Sequence, residues 1–539
     1  MEPSQEYEQT LSTDAGAGNL RTAVGRVSRF EQFAGTESVR ANLKRKSIHG
    51  AFFTAAGAAA DFVVRLAATV VLARLVLPEH WGLVGMVTAI TAIAEQFRDL
   101  GLSAATVQKK EISHQQVTNL FWVNVLAGLL ITLGISALAP VIAAFYGDSR
   151  LTLITIAMAS NFFWGGLTVQ HHALMVRQMK LPQTATLNVV ANILGAILAV
   201  VLALNHCGYW ALVWREMARS VILVTGTWAL CPWVPGLPRK GADVGGLLRF
   251  GRDITVTTIL DAMVANMDQL LIGKFTGAVP LAWYRQGYQL IMTPVEYLFT
   301  PIRSVAQPGL SAVQADPDRY RRFYDKIVFF VSSATVPLGI FIAIYAQEIT
   351  LVVLGPKWAG AAPILCIFAL AASIRPTMGT SGMVLVTSGK SKTYLVVVLM
   401  HSVTLVLCLL VGIRWGAQGI AMAHLAKALL IAVPTLYYSL RGSPISFGNF
   451  LATVSRPVMA TLVMSLALVL VRVTLPQPSM FTSVALGGAV AAAAYFCAWM
   501  LLPGGKSELR ALLSDLAAVR NRPEHSPKGE VAVAAGSAS

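Results

Sequence analysis

Gly251–Leu310 reads GRDITVTTILDAMVANMDQLLIGKFTGAVPLAWYRQGYQLIMTPVEYLFTPIRSVAQPGL. Two apolar runs, each long enough to cross a bilayer, flank the turn Thr276-Gly277-Ala278-Val279-Pro280. Asp253, Asp261, Asp268, Arg285, Glu296 and Arg303 sit inside those runs. A charge at a helix centre costs roughly 2.5–3.5 kcal/mol on translocon scales, so it is kept where it faces another charge or a polar cavity. The hairpin is therefore expected to line a wet, charged path through a helical bundle. It also opens the second half of the chain.

The rest of the sequence supports a membrane bundle. Of 539 residues, 55% are hydrophobic and 13% charged, against about 25% charged in a soluble domain. Apolar runs recur along the chain and predict fourteen spans, at 48–77, 81–97, 118–145, 151–170, 184–204, 209–230, 250–275, 279–303, 323–345, 361–386, 393–412, 416–438, 451–473 and 480–502. The expected fold class is all-α and polytopic. The first 47 residues lack an apolar h-region, so no cleavable signal peptide is expected. Residues 1–40 and 521–539 read as disordered tails. Leu509, Leu512, Leu513 and Leu516 fall at helical spacing and predict a short amphipathic helix on the membrane surface.

A net charge of +16 would indicate nucleic acid in a soluble protein. Here the basic residues cluster between spans and report topology instead. With the N-terminus cytoplasmic, Arg150, Lys274, Lys357 and Arg414 are the basic residues on the opposite side, so both termini are expected inside. The outer connections are short, the longest running from Gln347 to Gly360, and leave no room for an outer catalytic domain. Cys207 alone of the five cysteines falls in an outer loop, which predicts no disulfide. Trp81, Trp122, Trp210, Trp283 and Trp358 lie near span ends and are expected to form an aromatic belt.

Several in-span residues could carry function. Asp61 and Arg65 share a helix face at i,i+4, either as a buried ion pair or with Arg65 on a central cavity. Arg215 and Arg219 share a face with one neighbouring acid, Glu216, which cannot neutralise both. Arg375 precedes Pro376, and a proline-broken helix beside a mid-membrane charge is a transporter device. Lys427 follows His424 by about one turn, and His424 reads as a hydrogen-bonded core histidine. Asn188 and Asn192 read as helix glue. Asp261 and Asp268 share a face and either bind a cation or proton or serve as counter-ions to Arg285 and Arg303, the second fitting slightly better; Glu296 joins them as an in-span acid. In-span cations exceed in-span anions, which suits an anionic substrate such as a phosphate or pyrophosphate, whose oxygens match the guanidinium fork. No Walker pattern, HExxH motif or paired carboxylates in an outer loop is present, so no enzyme, cofactor or metal is expected.

Short motifs in a fixed order then mark a family. Leu72-Ala73-Arg74-Leu75-Val76-Leu77-Pro78-Glu79 with Gly82-Leu83-Val84-Gly85-Met86, Asp99-Leu100-Gly101-Leu102-Ser103-Ala104-Ala105, and Phe121-Trp122-Val123-Asn124 come first. Leu248-Arg249-Phe250-Gly251, Asp268-Gln269-Leu270-Leu271-Ile272-Gly273 and Tyr284-Arg285-Gln286-Gly287-Tyr288 follow. Together they resemble the Wzx-type polysaccharide flippases of the multidrug/oligosaccharidyl-lipid/polysaccharide exporter superfamily, over about residues 47–441. The resemblance implies two pseudo-symmetric six-span lobes around a central cavity: an N-lobe at 48–230, a linker at 231–249 and a C-lobe at 250–438. It leaves residues 1–47 as a basic tail, spans 13–14 at 451–502 as additions, and 503–539 as a second tail. It implies translocation of an undecaprenyl-pyrophosphate-linked oligosaccharide across the bacterial inner membrane for exopolysaccharide, capsule or O-antigen synthesis. Membrane lipids, a polysaccharide polymerase and export machinery are the implied partners, with no nucleic acid. Arg65, Arg215, Arg219, Arg285, Arg303, Arg375 and Lys427 are the implied cavity residues, with Asp61, Asp261, Asp268 and Glu296 as coupling or counter-ion groups. Arg74 and Lys274 sit at span ends, where they can snorkel, and are poor cavity candidates.

Two other readings compete. A cation-coupled multidrug exporter of the same superfamily would prefer an acidic cavity. A membrane polymerase or ligase would need a large outer loop. The predicted topology is tested by single cysteines at Ser149, Ala278 and Gly360, each expected to react with an impermeant maleimide in intact cells. Reaction at Ser391 and at none of the three would reverse the orientation.

Overall fold

The computed structural model describes residues 43–99, 101–109, 111–239, 245–474 and 479–501, with the side chains of 43–52, 54, 55, 245–257 and 259–261 left aside. The two tails and the amphipathic segment near Leu512 lie outside the described residues. The order is α1 Leu43–Leu75, α2 Pro78–Ala94, two short helices α3 Gln96–Asp99 and α4 Leu102–Gln108, α5 His114–Tyr146, α6 Arg150–Arg177, α7 Leu181–Leu204 and α8 Trp210–Leu230. Then follow α9 Gly245–Thr276, α10 Ala278–Ala312, α11 Pro317–Ile344, a short α12 Ala346–Val353, α13 Ala362–Thr387, α14 Ser391–Gly412, α15 Gly416–Leu430, α16 Ala432–Leu440, α17 Phe447–Thr474 and α18 Met480–Leu501. The chain is all-α, and its long helices follow the fourteen expected spans, with α15 and α16 sharing the twelfth. Pro434 cannot donate to the Leu430 carbonyl and its ring clashes there, which accounts for the break at Ile431.

Helix ends obey local chemistry. Ser113 and Gln116 form a reciprocal capping box at α5, and Gly147 ends that helix with φ 77°. Asp316 caps α11 by accepting from the Arg319 amide, with Pro317 in the first turn. In the hairpin α9–α10 the reversal is tighter than the sequence indicated. Gly277 alone, at φ 90°, separates the helices, and Pro280 falls in the first turn of α10, where no intrahelical donor is needed.

Among the described residues, nine stretches are long and apolar enough to cross a membrane by composition. Missing from them are α2, at 17 residues, and α8 and α10. These three helices line one common cavity. One lobe contains α1, α2 and α5–α8; the other contains α9–α11 and α13–α16; α17 and α18 flank the second through α11 and α12. Small residues let helix backbones touch: a Cβ on Gly166 would lie 2.6 Å from the Asn124 carbonyl, and one on Gly128 would lie 2.5 Å from that of Phe162, both across α5–α6.

The lobes meet through α2 packed on α9 and α10. At the end carrying Pro78 and Gly277 they are sealed. Gly82 presses on the backbone of Ala278. The connection expected to be an outer loop is instead α12 and a 3-10 turn, Pro356–Ala361, that caps this seam. Trp358 is fully buried there, donates to the Ala73 carbonyl at 2.9 Å, and stands edge-on to Trp81. Arg74 donates to the Val352 carbonyl at 2.5 Å, and Lys274 donates to that of Phe145. The aromatic-belt expectation thus fails for Trp81, Trp283 and Trp358, which pack into the seam because their rings fill space between lobes. Outside it, Arg150 binds Glu79 and Asp148 at 2.7 Å each. Its guanidinium holds the Asp148 carboxyl below the usual range. That contribution is complete at neutral pH and is lost as pH falls through the lowered value.

A side chain on Gly82 should prise this seam open, since overpacking costs about 1–3 kcal/mol. In Gly82→Val, a cysteine at Gln289 is expected to react faster with a maleimide supplied from the Pro78 side. Gly134→Val, where nothing lies within 4 Å, serves as control and should leave the rate unchanged. Equal rates in both variants would show that Gly82 does not set the closure.

Candidate functional site

Below the seam the lobes enclose a cavity of about 490 Å³. The N-lobe supplies Arg65 from α1, Glu95 and Arg98 from the end of α2 and the start of α3, and Arg215, Glu216 and Arg219 from α8. The C-lobe supplies Arg285, Gln286 and Gln289 from α10. Five arginines thus face two glutamates. Their i,i+4 spacing puts Arg215 and Arg219 on one face of α8.

The partners of these groups differ. Arg65 pairs with Asp61 at 2.7 Å, and the second oxygen of Asp61 accepts from Asn192 of α7. Asp61 is therefore a held counter-ion, and Asn192 is the glue between α1 and α7; among the described residues Asn188 bonds within its own helix, to the Thr184 carbonyl. Arg98 pairs with Glu95 at 2.5 Å, and Arg219 lies 4.0 Å from Glu216. Arg285 donates across the lobe boundary to Thr88. Arg215, half-buried, has no hydrogen-bond or ion-pair partner among the described residues.

Not every expected residue reaches this cavity. Asp268 is buried, accepts from the Tyr284 hydroxyl and lies 3.3 Å from His424 Nε2, so its direct partners are not Arg285. Successive helical residues point about 100° apart, so Tyr284 faces α9 while Arg285 faces α2. Glu296 and Arg303 are exposed on α10 beyond the lining. Arg375 and Lys427 line a separate pocket inside the C-lobe, because α10 stands between α13 and the central cavity. The side chain of Asp261 lies outside the described residues. Sequence reasoning missed Arg98, placed one residue past the expected second span. The Glu95-x-x-Arg98 spacing was the available signal. Gln286 and Gln289 gave none, being uncharged.

Two lobes of packed helices closing over a polar cavity define a multi-pass membrane protein with a transporter fold. The fold matches that of a lipid II flippase, MurJ, in an inward closed conformation, with a TM-score of 0.67 at 12% identity, over 84% of this chain and 97% of that one. An inward-facing multidrug resistance MATE family transporter matches with a TM-score of 0.51 at 13% identity, over 71% and 94%. The sequence profile described as "Polysaccharide biosynthesis protein" matches residues 71–363, more than half of the chain, and the chain belongs to that family. Its relatives include the lipopolysaccharide biosynthesis protein WzxC of Escherichia coli K12, 25% identical over 63% of this chain and 70% of the relative. The succinoglycan biosynthesis transport protein ExoT of Rhizobium meliloti is 23% identical over 87% and 94%.

The buried Asp268 cluster should be structural in the first instance. Asp268→Leu strands the Tyr284 hydroxyl, at a cost of about 1–3 kcal/mol, and should lower the melting temperature in detergent. Asp268→Asn keeps an acceptor and should lose less. Asp316→Asn, which keeps a helix cap, should melt like the parent. A Leu variant as stable as the parent would remove the structural role from this carboxylate.

Proposed function

We propose that this protein is a flippase that carries a lipid-linked oligosaccharide, joined through pyrophosphate, across the bacterial inner membrane. The observation that carries the reading is Arg215: a half-buried guanidinium on the cavity wall with no hydrogen-bond or ion-pair partner among the described residues, beside Arg65 and Arg219. An unpaired cation in a membrane interior is costly and is kept where a polar or anionic ligand meets it. The paired cations around it add donors in the fork geometry that suits phosphate oxygens. The cavity size is within the range of ligand pockets. The names of the relatives, which refer to lipopolysaccharide biosynthesis and succinoglycan transport, support a saccharide cargo.

The mechanism is alternating access. The basic connecting segments support both termini in the cytoplasm, and in that orientation the sealed Pro78 end faces outward and this is the state closed to the outside. The pyrophosphate enters from the cytoplasmic leaflet and meets Arg215, Arg219 and Arg65. Opening the seam then requires Arg285 to leave Thr88, and an anion beside Arg285 offers the guanidinium a replacement acceptor. Such differential contact is what allows a ligand to shift two states. The protein makes and breaks no covalent bond in this cycle. A polymerase and export machinery would take the saccharide on the outer face.

Arg215→Gln should reduce polysaccharide export about tenfold or more at equal membrane abundance, as loss of a charge-assisted contact of roughly 1.5–3 kcal/mol implies. Arg215→Lys should retain an intermediate level, because a point charge replaces the fork. Arg303→Gln, outside the cavity, should export normally. Parental export by Arg215→Gln would sink the reading.

A further inference from the structure

The C-lobe contains a second cavity of about 330 Å³, bounded by α13, α14 and the broken pair α15–α16. Arg375, Lys427, His401, His424 and Tyr394 line it, and among the described residues no carboxylate does. Arg375 is exposed and lines this space, and it donates to the Met292 sulfur at 3.6 Å. Lys427 is half-buried, and among the described residues its ammonium has no hydrogen-bond or ion-pair partner. Asp268 pairs with His424 and already accepts from Tyr284. Lys427 sits in the last turn of α15, where the helix dipole favours a cation, but that does not balance Arg375 across the cavity. His401 shares a hydrogen bond of 2.9 Å with Thr435, which fixes its ring at the pocket wall. Pro376 lies inside α13 next to Arg375, and Pro434 lies in the first turn of α16.

Two cations that share a cavity inside a membrane protein, with no anion in its lining among the described residues, repel each other unless a bound anion or water separates them. We propose that this pocket is an anion site distinct from the central cavity, and that it takes a small oxyanion, carboxylate or phosphate, between Arg375 and Lys427. The oxyanion is either an acidic group on the carried saccharide, which rests on the flippase reading, or a free inorganic anion, which does not. The pocket is a C-lobe property alone, so it stands whether or not the central cavity receives pyrophosphate.

The test is calorimetric titration of the purified full-length protein in detergent with sodium phosphate, sodium glucuronate and, as neutral control, glucose. Phosphate or glucuronate should bind while glucose does not. Arg375→Gln and Lys427→Gln should each weaken that binding about tenfold, the loss expected of one hydrogen bond to a charged group. Arg375→Lys and Lys427→Arg, which keep the charge, should retain most of it and show that the loss is not misfolding. Glucuronate binding assigns the site to an acidic saccharide, and binding of phosphate alone assigns it to a free anion. Unchanged affinity in both Gln variants, affinity lost only in Arg215→Gln, or no binding by the parent would each overturn the proposal. An export defect with intact anion binding would count against the flippase reading and not against this site.

Discussion

A guanidinium inside a hydrocarbon slab must be paired or wet, and the interior of this molecule is arranged around that demand. Backbone groups are satisfied within each helix, so the long helices impose no further polar constraint. The arginines do. Arg65 is held by Asp61, which is held by Asn192, and this chain of contacts fixes α1 against α7. Arg98 is held by Glu95 where α2 gives way to α3. Arg285 reaches across to Thr88 and ties the two lobes at the level of the cavity. Among the described residues, Arg215 alone of the cavity arginines has no hydrogen-bond or ion-pair partner, and the cavity lies where it stands.

The seam above the cavity depends on a different physics. Gly82, Trp81, Trp358 and Ala278 meet by shape, with backbone against backbone and rings filling the gap. Shape contacts of this kind are lost abruptly as surfaces part, because dispersion falls steeply with distance. The polar cavity below holds the lobes loosely, and the apolar seam holds them in an all-or-none manner. That pairing is what a two-state gate requires: a sharp closure whose balance a few charged contacts can tip.

Much of this was legible in the sequence. The fourteen spans could be read because hydropathy over about twenty residues reports burial in lipid. The hairpin Gly251–Leu310 stood out because Asp268 and Arg285 interrupt it, and both occupy interior positions, though in different directions. The direction was not legible: facing depends on helix rotation and on neighbours, and Tyr284, the decisive partner of Asp268, looks like an ordinary apolar residue in the sequence. Arg375 and Lys427 were assigned to the central path for the same reason, since depth in the membrane can be counted from a span but lateral position cannot. The seam tryptophans misled because an interfacial anchor and a gate residue share composition and depth. The segment Gln347–Gly360 looked like a loop because α12 is only eight residues long, too short to give a periodic signal.

The low apolar content of α8 and α10 is itself informative. A helix that touches lipid on most of its face must be apolar on most of its face, so a helix allowed to be polar has lipid on little of it. Those two, with α2, carry Arg215, Arg285 and Thr88, and α10 also meets α2 where the lobes touch. Helix α10 adds Pro294, Pro301 and Pro308 at seven-residue intervals, close to two turns, so all three fall near one face. Each withholds a donor from the carbonyl four residues earlier, and the first such carbonyl belongs to Leu290, on the cavity wall. A 35-residue helix softened repeatedly on one face bends along that face without breaking. The same helix carries the cation that crosses to the other lobe and the backbone that Gly82 presses against. Bending α10 therefore moves the seam and the cavity together, which links binding at the arginines to closure at the glycine.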